Sequence, residues 1–132
     1  MDRIKAFFKG DQFAAHNGIE LVEVSPGRAR ARMVLRPTHC NGLNIAHGGA
    51  LFTLADFAFA LASNSHGTVA VAINASITIL KATCAGTLVA EAREVSKSNR
   101  LGTYTVEVHD DAGELVALFQ GLAYRKSDPL PV

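Results

Sequence analysis

The sequence is short of nearly everything that marks the commoner functional classes. Its 132 residues carry 13 Lys plus Arg against 12 Asp plus Glu, a net charge of +1, with no long block of one sign. That excludes a polybasic arm for nucleic acid or for a membrane surface. There are two cysteines, Cys40 and Cys84, without CxxC spacing and too few for a disulfide scaffold. Free thiols and a cytoplasmic location are expected. No apolar run reaches the 18 or more residues needed to span a bilayer, so no membrane partner is expected. The start, MDRIKAFFKGDQFAAHNG, lacks the apolar core and small-residue cleavage site of a secretory signal. Repeats, linkers and low-complexity stretches are also missing, so one domain over 1–132 is expected, with a helical segment over 1–17 and a loose tail over 127–132.

Catalytic motifs are scarce too. His39, His47 and His66 have neither HxxxH nor HExxH spacing and no acid pair beside them, so no metal is expected. Thr53, Ser63 and Ser65 lie outside any GxSxG elbow, and Cys40 has no base beside it, which leaves a Ser or Cys nucleophile unsupported. The sharpest deficit is local: from Pro37 through Leu80 there is no Lys, Arg or Glu, and Asp56 is the one acid.

What is present reads as α+β. Ile4, Phe7 and Phe8 fit one face of a short helix. Residues 18–37 form two extended stretches about Pro26-Gly27, with RARARMVL alternating as a half-buried strand does. Residues 38–46 read as a loop, and 47–67, rich in Ala, Leu and Phe with Gly at both ends, as a helix of about five turns. Strands follow over 68–80, 87–98, 102–110 and 114–126, and their short links imply an antiparallel meander. A helix this apolar must be buried on most faces, so the sheet is expected to wrap it. A chain 48% hydrophobic with few charges also points to a subunit interface.

Asp56 sits mid-helix among Phe52, Phe57, Phe59 and Ala60. Burial there raises a carboxyl pKa unless donors face it, so the group is either satisfied structurally or poised for chemistry. In AHGGA, Gly48 and Gly49 open the helix, where unpaired N–H groups and the dipole could form an oxyanion hole or merely a tight start. Gly48 and Asp56 are eight residues apart, about 12 Å along the axis, too far to act on one carbonyl carbon. If both act, they come from different subunits of an antiparallel twofold pair. The turn Lys97-Ser98-Asn99-Arg100, with Lys81 at a strand end, could contact phosphates or be a solvated hairpin.

These features resemble the hot-dog-fold acyl-CoA thioesterases, most closely the phenylacetate-pathway (PaaI-type) branch, over roughly Phe13 to Lys126. The resemblance is carried by Asn41, HGGALFTLADFAFALASNSHG at 47–67, AVAINASITILK at 70–81 and VALFQGLAYR at 116–125. It implies an antiparallel sheet curled around a long central helix, a homo-oligomer (a dimer or dimer of dimers) with active sites between subunits, and an acyl-CoA substrate. Coenzyme A then enters as part of the substrate and no separate cofactor is implied. Position by position, Asp56 matches the catalytic carboxylate, as nucleophile or as base for a water, and Gly48 matches the backbone donor to the thioester carbonyl. Asn41 matches the loop amide that holds the thioester or the water, and His47 a positioning histidine. Lys81, Lys97, Ser98, Asn99 and Arg100 fall where relatives bind coenzyme A. Two departures are Ala82 where relatives often have Pro, and Ala60 and Ala72 where some place a Ser or Thr beside the carboxylate. The expected activity is hydrolysis of an aryl-acyl-CoA, such as phenylacetyl-CoA or its ring-hydroxylated forms. The competing readings are a hot-dog hydratase or dehydratase using His47, and a non-catalytic acyl-CoA-binding protein.

Overall fold

A computed structural model describes residues 1–131. The chain runs α1 (Asp2–Phe8), α2 (Gln12–His16), β1 (Ile19–Ser25), β2 (Arg28–Val34), a 3-10 turn (Pro37–His39), α3 (Gly48–Asn64), β3 (Thr68–Ile79), β4 (Thr87–Lys97), β5 (Leu101–His109) and β6 (Leu115–Pro129). The six strands form one antiparallel sheet in the order β1-β2-β4-β5-β6-β3. It curls around α3, which packs against all six strands. This is the hot-dog fold expected from the sequence.

The meander is narrower than the short links imply. It holds for β4, β5 and β6, but β3 pairs with β6 instead of with β4. Pairing β4 with β2 brings Ala29, Ala31 and Met33 opposite Ala92, Ala90 and Leu88, all buried. This small-residue floor lets α3 lie close to the sheet, and β3 is left at the far edge. There Val71, Ile73, Ile79 and Leu80 are 42–55% exposed.

The N-terminal end is helical as expected, whereas the C-terminal tail differs from expectation. The N-terminal segment is two helices, broken at Gly10-Asp11, where the Asp11 carboxylate caps α2 by accepting from Ala14 N–H. The tail over 127–132 is not loose across its described part. Residues 127–129 extend β6, and Leu130 is buried, donating its N–H to Gly67 O. An apolar side chain with a covered site beside it, and a carbonyl to bond, has reason to stay docked. Val132 lies outside the described residues.

Leu51, Leu54, Ala55, Ala58, Phe59, Leu61 and Ala62 of α3 are buried in the sheet's concavity. Phe59 stacks obliquely on Tyr104 and Phe119, with centroids 5.6 and 5.7 Å away. The opposite stripe, Gly49, Thr53, Asp56 and Ala60, keeps solvent contact within the protomer. Gly121 on β6 faces Phe59 so closely that a Cβ would lie 2.7 Å from the ring. Gly121→Ala should therefore lower stability by about 1–3 kcal/mol through overpacking, read as a reduced urea midpoint that Phe59→Leu in the same chain partly restores.

Candidate active site

The loop entering α3 is cross-braced by its own backbone. Asn41 N–H donates to Ile45 O (2.8 Å), Asn44 N–H to Asn41 O (2.9 Å), and Cys40 pairs with Ala46. Asn44 takes φ +62°, which Asn tolerates better than most residues. Asn41 Oδ1 accepts from Leu43 N–H (2.9 Å) and Ile45 N–H (3.4 Å). Both lone pairs are thus engaged, and Asn41 can offer an outside group only its Nδ2 protons. Ala46 N–H to Thr83 O (2.7 Å) and His47 N–H to His39 O (2.7 Å) tie the loop to its surroundings. His39 is itself buried, accepting from Arg36 N–H at Nδ1 and donating from Nε2 to Asn17 O.

His47 is the N-cap of α3, its Nδ1 accepting from Gly49 N–H at 2.8 Å. Ala50 and Leu51 donate to His47 O. Of the first-turn donors this leaves the Gly48 N–H without an acceptor among the described residues. It sits at the positive end of a 17-residue helix, the kind of position that binds an anion or a developing oxyanion.

Asp56 lies two turns further on, on the open stripe. No donor of its own chain reaches the half-buried carboxylate among the described residues. Burial first, and the negative charge of Asp11 second, push its pKa above the ordinary carboxylate value of 3.8. Thr53, one turn earlier, spends its hydroxyl on Gly49 O (2.7 Å). On one helix, then, Gly48 and Asp56 do not meet.

The other end of α3 is fastened by a polar cluster. Glu94 accepts from Tyr104 OH and from His66 Nε2, both at 2.7 Å. Burial works against the charge of Glu94, but these two hydrogen bonds prevail and hold its pKa below the ordinary value. The Tyr104 phenol is pushed up by burial and then by Glu94. Ser65 Oγ accepts from Gly27 N–H at 2.7 Å, joining the helix end to the β1–β2 turn.

The basic residues fall into two groups. Lys81 Nζ binds Asp110 (2.6 Å) and Glu114 (3.1 Å) at the β5–β6 turn. Those hydrogen bonds raise its pKa, Asp110 first. Lys97 ends β4 and Ser98, Asn99 and Arg100 form the β4–β5 turn, at the opposite end of β5, roughly 27 Å away along nine residues. The protomer therefore does not unite Lys81 with the other four.

It does unite that turn with residues the sequence pattern did not single out. Arg125 Nη1 donates to Ser98 O (2.7 Å) and Asn99 O (3.3 Å), and Arg100 donates to Tyr124 OH (2.9 Å). Asn99, Arg100, Tyr124, Arg125 and Lys126 line an open cavity of about 560 Å³. The signal was YRK within the last strand, legible only once Leu101 is known to pair with Tyr124.

Residues 43–117 match the family model described as Thioesterase superfamily. The acyl-coenzyme A thioesterase PaaI of Escherichia coli is 37% identical over 91% of this chain and 86% of its own. A protein of Archaeoglobus fulgidus is 44% identical over 99% of this chain and 86% of its own. The structure of the E. coli PaaI protein from the phenylacetic acid degradation operon superposes with TM-score 0.93 at 35% identity, covering 97% of this chain and 94% of that one. A Streptococcus mutans protein solved with bound acetyl CoA superposes at 0.80 with 26% identity, covering 84% and 90%. The class these matches define is a thioester hydrolase on a hot-dog fold. The chain belongs to the thioesterase superfamily, in its PaaI-type branch.

Because the folded state holds the Asp56 proton to higher pH than the unfolded chain does, ionisation there opposes folding. The stability is fully present below the unfolded pKa and falls as pH rises through the folded one. Asp56→Asn should accordingly raise Tm at pH 8, and the gain should vanish as pH falls below the ordinary carboxylate range.

Proposed function

We propose that the protein is a cytoplasmic acyl-CoA thioesterase that hydrolyses an aryl-acyl-CoA to the free acid and coenzyme A, at sites formed between two protomers. The observation that carries this reading is the stranded pair on α3. Among the described residues, a donor with no acceptor at Gly48 and a carboxylate with no donor at Asp56 stand about 12 Å apart on one helix. Two helices laid antiparallel across a twofold axis would bring each Gly48 to the partner subunit's Asp56, completing two sites. The apolar β3 edge supports such pairing, since an unpaired edge is a template for a second strand. A second pairing of dimers would give a tetramer.

In this site the Gly48 N–H receives the thioester oxygen as it becomes negative, aided by the Asn41 amide protons. Asp56 attacks the carbonyl carbon, forming an anhydride that water then cleaves, or takes a proton from the attacking water. In either case the carbon–sulfur bond breaks, coenzyme A leaves as its thiolate and takes up a proton derived from the water, and the net oxygen gained by the free acid comes from that water. His47 positions the helix start through its cap. With Nδ1 held by Gly49 it is poorly placed for hydratase chemistry.

The same antiparallel pairing would bring the 97–100 turn of one protomer to the side of its partner's Gly48 and Lys81. Lys97, Ser98, Asn99 and Arg100, extended by Tyr124, Arg125 and Lys126, then hold the phosphates of coenzyme A, and Lys81 approaches from the other chain. Coenzyme A comes and goes as part of the substrate, without a separate cofactor. The free cysteines accord with the cytoplasm.

Asp56→Ala should cut thiol release from phenylacetyl-CoA by about 10²–10⁴-fold without loss of fold; wild-type turnover would sink the assignment. Wild-type kcat/KM should decline on the acid side through a pKa above 3.8, because Asp56 must be ionised to act. Proline is tolerated at the first helical position and lacks an N–H. Gly48→Pro should thus lower kcat about 10²–10³-fold with Tm nearly unchanged, whereas Gly48→Ala, which only brings a Cβ 3.2 Å from Ile79, retains most activity. Coenzyme A esters bound without thiol release would select the non-catalytic reading.

A further inference from the structure

We infer that Asp110 and Asp111, in the β5–β6 turn, are positioning residues for the Gly48 N–H: together with Lys81 they clamp both ends of the β3–β4 connection, and the start of α3 leans on that connection. This rests on the thioesterase reading above and deepens it, since it assigns the alignment of the oxyanion donor to a turn outside the candidate site.

Three contacts make the connection a support for the site. Thr83 O accepts the Ala46 N–H at 2.7 Å, one residue ahead of the His47 cap. Gly86 O accepts the Leu35 N–H at 2.8 Å, so the loop that carries Asn41 is held by the connection at both of its ends. Ile79, the last residue of β3, lies against Gly48, its Cδ1 3.2 Å from where a Cβ on that glycine would stand. Yet residues 80–86 have neither helix nor strand of their own. A support of that kind has little stiffness by itself, and misplacing a catalytic group by about 1 Å can cost about a hundredfold in rate. The stiffness comes from the turn beside it.

Two adjacent acids grip the two ends. Where the connection leaves β3, Lys81 Nζ donates to Asp110 at 2.6 Å and reaches Glu114 at 3.1 Å, which leaves the ammonium one proton for a phosphate. Where it enters β4, the Thr87 N–H donates to the Asp111 carboxylate, whose oxygens are 3.2 and 3.3 Å away. Gly86, just before, takes φ +96°, and a Cβ there would overlap that carboxylate, so a glycine lets the turn approach this closely. The turn is itself braced. Asp110 Oδ1 accepts from the Ala112 and Glu114 N–H groups at 3.0 and 2.9 Å, and Asp110 O accepts from the Gly113 N–H at 3.0 Å. Asp110 thus spends one oxygen on its own turn and the other on Lys81. Lys81 and Glu114 keep 36% and 63% of their side chains in solvent, where an ion pair adds little to stability; what the clamp supplies is geometry.

Asp110→Asn keeps an acceptor for the turn while removing the one for Lys81, and Asp111→Ala releases the Thr87 N–H. The double variant Asp110→Asn/Asp111→Ala is compared with the wild type for thiol release from phenylacetyl-CoA and acetyl-CoA. The expected result is a fall of about tenfold in kcat with KM within about twofold. A rise in KM with kcat intact, which marks a contact to substrate, overturns the inference, as does a lower Tm with both constants unchanged, which marks a merely structural turn. A cycle with Gly48→Pro reads the route: with no N–H left to position, loss of the two acids should change kcat by less than about twofold. A loss as large in Gly48→Pro as in the wild type overturns the inference. Should the double variant fold poorly, Asp111→Ala alone, a change at an exposed side chain, takes its place in the same measurements. If the wild type releases thiol from neither ester, it is the thioesterase reading that fails, and amide hydrogen exchange then tests the clamp by itself. Exchange at Leu35 and Ala46, whose N–H groups are bonded to the connection, at least about tenfold faster in the variant upholds the clamp, and unchanged exchange overturns it.

Discussion

Everything in this fold depends on how closely α3 can lie in the curl of the sheet. Leu51, Leu54, Phe59 and Leu61 are essentially without solvent contact, and each contributes about 1.5–3 kcal/mol by its burial. Close approach is possible because the strands beneath present alanines, among them Ala29, Ala31, Ala90, Ala92, Ala117 and Ala123, and because Gly121 yields room for the Phe59 ring. The sheet order follows from the same demand, since β4 joins β2 where the small residues match and β3 is left outside. The Glu94–Tyr104–His66 cluster then fixes the helix end at its depth.

A helix held this way has a rigid axis, and rigidity is what gives its open stripe chemical meaning. His47 and Gly49 settle one donor of the first turn between themselves, so the Gly48 N–H remains. Asn41 spends its oxygen on its own loop and keeps its protons. Asp56 stays half-buried and without a donor among the described residues, under the added field of Asp11. Each group keeps unspent hydrogen-bonding capacity among the described residues, and Asp56 lies on the side of the helix that the sheet does not cover. The exposed β3 edge belongs to the same account, because in the proposed dimer both features would meet a second copy of the chain.

Local signals made much of this legible. The Asp56 oddity followed from a charge desert around it, the helix from its apolar content and flanking glycines, and the β1–β2 turn from Pro26-Gly27. Gly48, Asn41 and His47 lie at or just before the start of α3, and the structure shows which of their polar groups are already engaged. Long-range pairing was harder. Nothing near Lys81 in sequence announces Asp110 and Glu114, and nothing in KSNR announces Tyr124, Arg125 and Lys126, because cross-strand neighbours are set by register rather than by proximity along the chain. The tail misled for a related reason: Pro129 and Leu130 look like a trailing end until the Gly67 carbonyl and a covered apolar site are found beside them.

By itself the sequence determined the elements, the separation of Gly48 from Asp56, and the thioesterase family, since helix rise and side-chain periodicity are local properties that residue order encodes directly. Tertiary structure alone decided that β3 sits beside β6, that Lys81 is held by two carboxylates far from the 97–100 turn, and that the N-terminal helices, β1 and Phe57 line an open apolar cavity. Those outcomes depend on which surfaces fit when the sheet closes on the helix. Packing complementarity of that kind is a property of the whole chain in three dimensions and leaves no mark within any single stretch of it.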